Sequence, residues 1–215
     1  MMISFSGIDS AGKSTQISLL ESYYKYQNKK CKVIWGRGSW TPGVELIKKI
    51  VRKDKGFSSE QKAEYREQIH NNPKKQKLLL IGSILDLYLY FGIYYRWLNL
   101  VNDELICDRY IWDTCADFKV MFSEYDYENW LIWRGLIKFI PKPKRSFMLV
   151  IPTEESLRRG HLKQEEFMES EERKREKIKK YRSLIEQQKW TDILDGMVSI
   201  DEIHKNILSV LDYKK

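Results

Sequence analysis

An eight-residue segment near the start of the chain has the pattern of a loop that binds nucleotide phosphates. Residues 7–14 read G-I-D-S-A-G-K-S and fit G-x-x-x-x-G-K-S/T, between a β-prone run and an amphipathic stretch. Glycines let backbone N–H groups converge on phosphate oxygens, and a helix start adds a dipole that favours anions. Lys13 can then reach the β- and γ-phosphates, and the Ser14 hydroxyl can bind Mg²⁺. This context favours a nucleotide site over an ordinary glycine-rich turn.

A second group of chemically active side chains follows an apolar run in the middle of the chain. Residues 105–110 read L-I-C-D-R-Y, so Asp108 and Arg109 come at the end of a predicted strand. In an open α/β sheet, ligands bind at the carboxyl ends of the strands. A carboxylate there can hold Mg²⁺, and a guanidinium can bind a phosphate through two parallel hydrogen bonds. We therefore favour a functional pair over a surface ion pair.

The elements that must position these residues alternate between strands and helices. Short apolar runs bounded by turn residues predict strands, and amphipathic stretches predict helices. The predicted strands cover residues 3–6, 31–35, 104–107, 146–151 and 192–194. The predicted helices cover residues 13–26, 44–53, 78–100, 113–122, 127–139, 165–180 and 200–211. This alternation is typical of an α/β fold with a mostly parallel sheet.

Two of these helices allow a second interpretation. Residues 78–100 are apolar enough to span a bilayer, but Asp86 lies near their middle and their many aromatic residues suit packing against protein. We favour a buried core helix and keep a peripheral membrane contact as the minor alternative. Residues 165–180 are mostly charged, with opposite charges four residues apart, which predicts an exposed helix rather than a nucleic-acid-binding arm.

Composition narrows the class of protein further. The chain has 215 residues, 42% of them apolar and 32% charged, which excludes a disordered or fibrous chain. Lys and Arg number 38 against 30 Asp and Glu, and a net charge of +8 suggests anionic partners. Three cysteines without metal-ligand spacing indicate neither a disulfide framework nor a zinc site. With no visible signal peptide, we expect a cytoplasmic protein.

A bound nucleotide could serve either a switch or an enzyme. A guanine-nucleotide switch would be expected to carry an N-K-x-D motif, and the nearest string, residues 28–31, reads N-K-K-C. No D-x-x-G switch motif occurs outside the phosphate loop itself. An enzyme is therefore favoured.

With both motifs in place, the chain resembles the thymidylate kinase family of nucleoside monophosphate kinases. Residues 5–16 look like that family's phosphate loop, and 108–110 match its D-R-Y motif. Residues 36–43 loosely echo its arginine-containing segment, and 151–159 its transition into the lid. Tyr181 stands where the family carries a tyrosine after the lid.

The resemblance implies roles for individual residues. ATP and Mg²⁺ would be held by the phosphate loop, at Gly7, Asp9, Ser10, Ala11, Gly12, Lys13, Ser14 and Thr15, with Ser14 and Asp108 at the metal. Asp9 would also contact the acceptor's sugar, and Arg37 and Arg109 would bind its phosphate. Where one branch of the family has an arginine in the loop, this chain has Ser10; the other branch uses lid cations, for which Arg158, Arg159 and Lys163 are available. Lys13, Arg109 and Arg159 are therefore the predicted catalytic residues.

The chain departs from the family where the acceptor's base would be recognised. Counting from Asp108, the family's base-contacting arginine falls at Leu87 and its amide residue at Phe118. Its serine in the same helix becomes Asp113. The resemblance thus implies the phosphate chemistry and leaves the acceptor open.

We therefore expect a three-layer P-loop fold in a single domain over residues 1–215, with a five-stranded parallel sheet flanked by helices. An acceptor-side insertion is expected at about 38–77 and a small lid at about 155–175. The expected activity is ATP-dependent phosphorylation of a nucleoside monophosphate. The alternatives are a kinase of a sugar phosphate or lipid-linked intermediate, or a non-catalytic nucleotide-binding regulator. A homodimer stays open, and no stable nucleic-acid partner is expected.

Overall fold

The protein has an α/β fold built on five parallel strands. The structure, a computed structural model, describes residues 1–36, 72–162 and 171–212. The strands are β1 (Met2–Ser6), β2 (Cys31–Trp35), β3 (Glu104–Asp108), β4 (Arg145–Val150) and β5 (Asp192–Asp195). They form one sheet in the order β2-β3-β1-β4-β5. The predicted sheet is thereby confirmed in strand number, direction and approximate bounds.

Helices follow the strands along the chain. They are α1 (Lys13–Tyr26), α2 (Pro73–Val101), α3 (Ile111–Met121), α4 (Leu131–Phe139), α5 (Thr153–Leu162), α6 (Glu171–Glu186) and α7 (Ile200–Asp212), with a 3₁₀ turn at Tyr127–Asn129. The helix predicted over residues 44–53 lies outside the described residues. The helix predicted over 127–139 is divided, because Trp130 adopts an extended conformation between the 3₁₀ turn and α4.

The described residues divide into two compact units. The first contains residues 1–36, Trp97–Val120 and 142–212, and the second contains residues 72–96 and Met121–Pro141. Within the first unit, the central strands carry four fully buried apolar side chains, those of Ile3, Phe5, Leu105 and Phe147. The Phe5 and Phe147 rings stack with their centroids 5.2 Å apart. Strands covered on both faces read as continuous apolar runs, which is why the sequence revealed them.

The second unit is organised by close packing of α2 and α4. Tyr88 donates a hydrogen bond from its hydroxyl to the Ile132 carbonyl oxygen over 2.7 Å. Gly92 and Gly135 permit this approach: a methyl group on Gly92 would overlap the Phe139 ring, and one on Gly135 would lie 2.6 Å from the Tyr88 hydroxyl. The unit is therefore held by aromatic rings seated against glycines.

Helix α2 is longer and less regular than predicted. Pro73–Leu87 and Tyr95–Val101 are α-helical, and Tyr88–Tyr94 between them is π-helical. Asn72 caps the start through its side chain, which accepts from the Lys75 N–H over 3.2 Å. The helix is long and apolar enough to cross a membrane by length and composition alone, and 44% of its most apolar window is buried within the protein. Such a helix is weak evidence for a membrane span.

Candidate active site

The loop between β1 and α1 adopts a conformation that few residue types tolerate. Gly7 and Gly12 have φ values of 139° and 98°, and Ser10 has a φ of 61°. A methyl group on Gly7 would lie 2.5 Å from the Leu149 carbonyl oxygen, so β4 also requires glycine there. Ser14 and Thr15 are exposed in the first turn of α1. The loop thus has the shape and the free helix start that an anion-binding loop needs.

Lys13 is buried inside this loop. Its Nζ donates to the carbonyl oxygens of Gly7 (2.9 Å) and Ile8 (2.7 Å). Burial, followed by the nearby positive charge of Arg109, lowers the pKa of Lys13 from 10.5 to about 7. A phosphate bound at the loop would reverse this effect, because an adjacent negative charge favours the ammonium form.

Arg109 lies beside the loop because β3 and β1 are neighbours in the sheet. Phe5 pairs with Asp108, and the Arg109 N–H donates to the Phe5 carbonyl oxygen over 2.8 Å. Arg109 has a φ of 74°, and its side chain is buried. The guanidinium donates to the Gly7 carbonyl oxygen (3.0 Å) and forms an ion pair with Asp9. The structure therefore brings Lys13, Asp9 and Arg109 together.

Asp108 is the predicted metal-binding carboxylate at the end of β3. Its Oδ1 is buried and has no hydrogen-bond partner among the described residues. Burial raises the pKa of Asp108, while Lys13 and Arg109 oppose the rise. Among those residues no group of three or more His, Cys, Asp or Glu side chains could hold a metal. A lone carboxylate and the exposed Ser14 hydroxyl nevertheless fit Mg²⁺, which takes few protein ligands when nucleotide phosphates supply others.

Asp113 is a member of the site that the motif analysis did not select. It lies in the first turn of α3 and is fully buried. Its carboxylate accepts from Ser6 Oγ (2.6 Å), Gly7 N (3.3 Å), Tyr110 N (3.0 Å), Tyr181 Oη (2.8 Å) and Arg109 Nη1 (3.4 Å). The available signal was its position five residues after Asp108, where the resembling family carries a serine.

Helix α5 contributes a polar contact to the same loop, and α6 contacts α5 and α3. Ser156 donates to the Asp9 carbonyl oxygen over 2.8 Å, and Lys174 Nζ lies 3.4 Å from Ser156 Oγ. Lys177 pairs with Asp117 at 2.6 Å. The expectation of a solvent-exposed helix was therefore wrong for one face of α6, on which both lysines are buried.

The predicted lid arginines pair with an acidic residue of their own helix, α5. Arg158 and Arg159 both pair with Glu155, and Arg159 also donates to the Gly196 carbonyl oxygen over 3.0 Å. These hydrogen bonds lower the pKa of Glu155 to about 2. Within the described part of the chain, the hydrogen bonds and ion pairs of Arg159 go to Glu155 and Gly196, so its catalytic role stays a prediction. Arg37 and Lys163 lie outside the described residues.

The two positions of the expected base contacts are apolar and buried. Leu87 is 0% exposed and Phe118 is 1% exposed. Each therefore belongs to the core of its own unit, and neither offers a polar group to a base.

Comparison with known proteins gives a consistent family. A family model described as thymidylate kinase matches residues 94–207. A probable thymidylate kinase of Methanocaldococcus jannaschii is 26% identical over 216 residues, covering 98% of this chain and 95% of its own. One of Pyrococcus abyssi is 24% identical, covering 97% and 94%.

A solved structure supports the fold. It is a deoxyadenosine kinase from M. mycoides with the products dCMP and dCDP bound, and it superposes with a TM-score of 0.59 at 16% identity over 99% of this chain and all of that one. The five-stranded parallel sheet is thus that of a known kinase fold. Since the family model covers more than half of its length, the chain belongs to the thymidylate kinase family of nucleotide kinases.

Proposed function

We propose that this protein transfers the γ-phosphoryl group of ATP to the phosphate of a nucleoside monophosphate, using the residues gathered at the ends of β1 and β3. The observation that carries the proposal is the packing of Lys13 and Arg109 against one phosphate loop, each donating to the Gly7 carbonyl oxygen. Phosphoryl transfer needs positioning and charge neutralisation more than covalent chemistry. Two buried cations beside an anion-binding loop supply both.

On the donor side, the loop from Gly7 to Thr15 would hold the ATP phosphates. Its backbone N–H groups and the start of α1 would bind phosphate oxygens, and Lys13 would neutralise charge on the β- and γ-phosphates. Ser14 and Asp108 would hold Mg²⁺, which when bound offsets negative charge on the same phosphates.

On the acceptor side, Arg109 would bind the acceptor phosphate together with Arg37, and Asp9 would contact the sugar. Asp9 and Arg109 are already paired with each other. A guanidinium has five N–H donors, so Arg109 can retain its bond to the loop while donating to an incoming phosphate. Arg159 is the proposed cation of a lid that covers about residues 155–175. The acceptor-side insertion is proposed at about residues 38–77. Both would be parts of one kinase domain.

We also propose a cytoplasmic homodimer. All three cysteines are free, as expected in a reducing compartment.

The proposed dimer contact is an exposed apolar face of α2. It contains Leu78, Leu85, Leu89 and Ile93, which are each more than half exposed and recur at spacings that place them on one side of the helix. A second copy of this face would cover them in a two-fold contact. Leu89→Glu should then give a monomer in size-exclusion chromatography with light scattering. An unchanged mass would contradict the dimer. So would wild-type binding to lipid vesicles that Leu89→Glu abolishes, because the exposed face would then be a membrane contact.

The activity is tested by a coupled assay with ATP, Mg²⁺ and one acceptor at a time. The panel contains nucleoside monophosphates, nucleosides, sugar phosphates, a lipid-linked phosphate, DNA, RNA and buffer alone. Turnover that requires a nucleoside monophosphate supports the proposal. Turnover with another small acceptor alone, ATPase activity that rises only with nucleic acid, or ATP binding without any turnover would each contradict it and identify the corresponding alternative.

A further inference from the structure

The buried carboxylate of Asp113 joins parts of the site that come from separate segments of the chain. Its Oδ1 accepts from Gly7 N in the phosphate loop and from Tyr181 in α6, and it pairs with Arg109. Its Oδ2 accepts from Ser6 at the end of β1. One side chain therefore contacts the donor's loop, the proposed acceptor arginine and the helix that follows residues 163–170.

Part of this arrangement has an ordinary structural explanation. Asp113 is the third residue of α3, and its Oδ2 accepts from the N–H of Tyr110 over 3.0 Å, which is half of a capping box. A cap uses one oxygen and needs no charge. Here Oδ1 is committed to the loop, the arginine and the tyrosine instead, so capping accounts for only one oxygen of Asp113.

One of the residues that Asp113 contacts is held in a costly backbone conformation. Gly7 and Arg109 both have positive φ values, and for a non-glycine residue such as Arg109 this conformation is disfavoured. Backbone conformations of this kind persist only where surrounding contacts determine them. Asp113 supplies such contacts at both positions, through Gly7 N and the Arg109 guanidinium.

Tyr181 fixes the remaining side of the carboxylate. Its hydroxyl donates to Oδ1 over 2.8 Å. Burial, followed by the negative charge of Asp113, raises the pKa of Tyr181 well above 10, so the hydroxyl remains a donor. One turn earlier on α6, Lys177 pairs with Asp117 on α3. Helices α3 and α6 thus share two polar contacts, the Tyr181–Asp113 hydrogen bond and the Lys177–Asp117 ion pair.

We propose that Asp113 is a positioning residue that sets Arg109 and the phosphate loop in register, so that the donor and acceptor phosphates share one support. The proposal rests on the proposed function for its acceptor-side part. Asp113 itself touches neither substrate, and its effect is transmitted through Gly7 and Arg109.

The first variant is Asp113→Ser, which tests positioning apart from capping. A serine keeps one oxygen acceptor on the side of the Tyr110 N–H but lacks the charge and the second oxygen that join Gly7, Arg109 and Tyr181. We expect kcat/KM for the acceptor to fall about 10- to 100-fold, the effect of losing hydrogen bonds to a charged group, and ATP affinity in calorimetry to fall about 3- to 10-fold. Asp113→Asn should give losses in the same direction, and Tyr181→Phe a smaller one.

The matched control is the double variant Asp117→Asn/Lys177→Gln, which removes the ion pair between the same helices. It should lower the melting temperature and leave kcat/KM and ATP affinity unchanged. A double-mutant cycle of Asp113→Ser with Arg109→Lys should show that the second change costs less when the first is present.

The outcomes separate the two proposals. If Asp113→Ser and Asp113→Asn lose only thermal stability and keep wild-type kinetics and ATP affinity, Asp113 is a structural cap and the inference is wrong. If the wild type binds ATP but phosphorylates no acceptor, the proposed function fails. The comparison of ATP affinities then still decides whether Asp113 positions the loop, since unchanged affinity in both variants overturns that role.

Discussion

Around the phosphate loop the buried charged groups pair with one another, whereas along α2 and α4 the large, fully buried side chains are aromatic or aliphatic. Lys13, Asp9, Arg109 and Asp113 lie together at the ends of two strands, and each contacts backbone or a charged partner. In the second unit, aromatic rings pack closely against Gly92 and Gly135.

The difference indicates which part of substrate recognition short sequence motifs can encode. Phosphate is recognised by backbone amides and cations within a few residues of each strand end, and short motifs encode these. Recognition of the remainder of an acceptor depends on side chains distributed along helices, and here Leu87 and Phe118 are apolar core residues. Phosphate binding and acceptor choice should therefore respond independently to substitution.

The largest effect is expected at Lys13. Lys13→Ala removes a preorganised cation from the β- and γ-phosphates and should lower kcat by about two orders of magnitude or more. Steady-state kinetics with saturating ATP measure it. Lys25→Ala, at an exposed position on the same helix, is the control and should have no effect. Turnover near the wild-type level in Lys13→Ala would refute the phosphate-loop assignment.

Thymidine monophosphate should be a poor acceptor. With Leu87 and Phe118 in place of an arginine and an amide, thymine loses two hydrogen-bonding partners, each worth about 1–3 kcal/mol. Its kcat/KM should fall about a hundredfold or more below that of the preferred monophosphate in the coupled assay. A value of about 10⁴ M⁻¹s⁻¹ or above, the usual range for enzymes, would contradict this prediction.

A smaller loss is expected at the end of β3. Arg109→Lys keeps the charge but loses the planar fork, so kcat/KM for the acceptor should fall roughly tenfold with the KM for ATP little changed.

At the neighbouring residue, Asp108→Asn removes the charge of a proposed metal ligand. It should therefore raise the Mg²⁺ concentration needed for half-maximal rate. Arg145→Lys, at the opposite end of β4, is the control. If the site variants lose thermal stability alone, the pair is structural.

Binding of ATP should depend on pH through Lys13. The pKa of Lys13 is lowered to about 7, and a bound phosphate raises it, so ATP binding takes up a proton above pH 7. Affinity should therefore fall as pH rises, by at most tenfold per pH unit, in calorimetry between pH 7 and 9. Lys13→Arg, which stays protonated, should abolish most of the slope. A pH-independent wild-type affinity would disprove the linkage.

The smallest functional effect is expected in the second unit. Gly92→Ala places a methyl group against the Phe139 ring and should cost about 1–3 kcal/mol of unfolding free energy, with little effect on kcat. Gly82→Ala on the same helix meets no atom within 4 Å and should be stabilising by about 0.5–1 kcal/mol. Equal unfolding free energies for the two variants in chemical denaturation would show that the close packing is unimportant.

The sequence predicted the sheet well because its strands have local signals, and the proposed phosphate loop has a local signal of its own. Buried parallel strands read as apolar runs, and the loop requires glycines and a lysine at fixed spacing. The proximity of Asp9 to Arg109 was also predictable, since the carboxyl ends of parallel strands meet at one edge. The order of the strands had no local signal.

The polar face of α6 was missed because charge suggested exposure. Lys174, Lys177, Tyr181 and Leu184 are all buried and recur at helical spacing, so the periodic signal existed within the charged run. Lysines are almost never fully buried unless paired, and their partners lie on other helices. The contacts of Asp113 were missed for the same reason: three of its five partners, Ser6, Gly7 and Tyr181, come from distant segments of the chain.

Gly7 has a consequence for how relatives of this protein should be interpreted. Its first requirement is steric: a β-carbon would strike the Leu149 backbone, whether or not a nucleotide is present. A descendant that had abandoned ATP would therefore keep Gly7 to preserve the sheet. Lys13 is subject to the opposite pressure, because burial of its ammonium destabilises the empty fold below about pH 10, where the unfolded chain holds the proton more tightly. In a lineage that no longer phosphorylates anything, Lys13 should be replaced first. Gly7 should be kept, because the sheet still requires it.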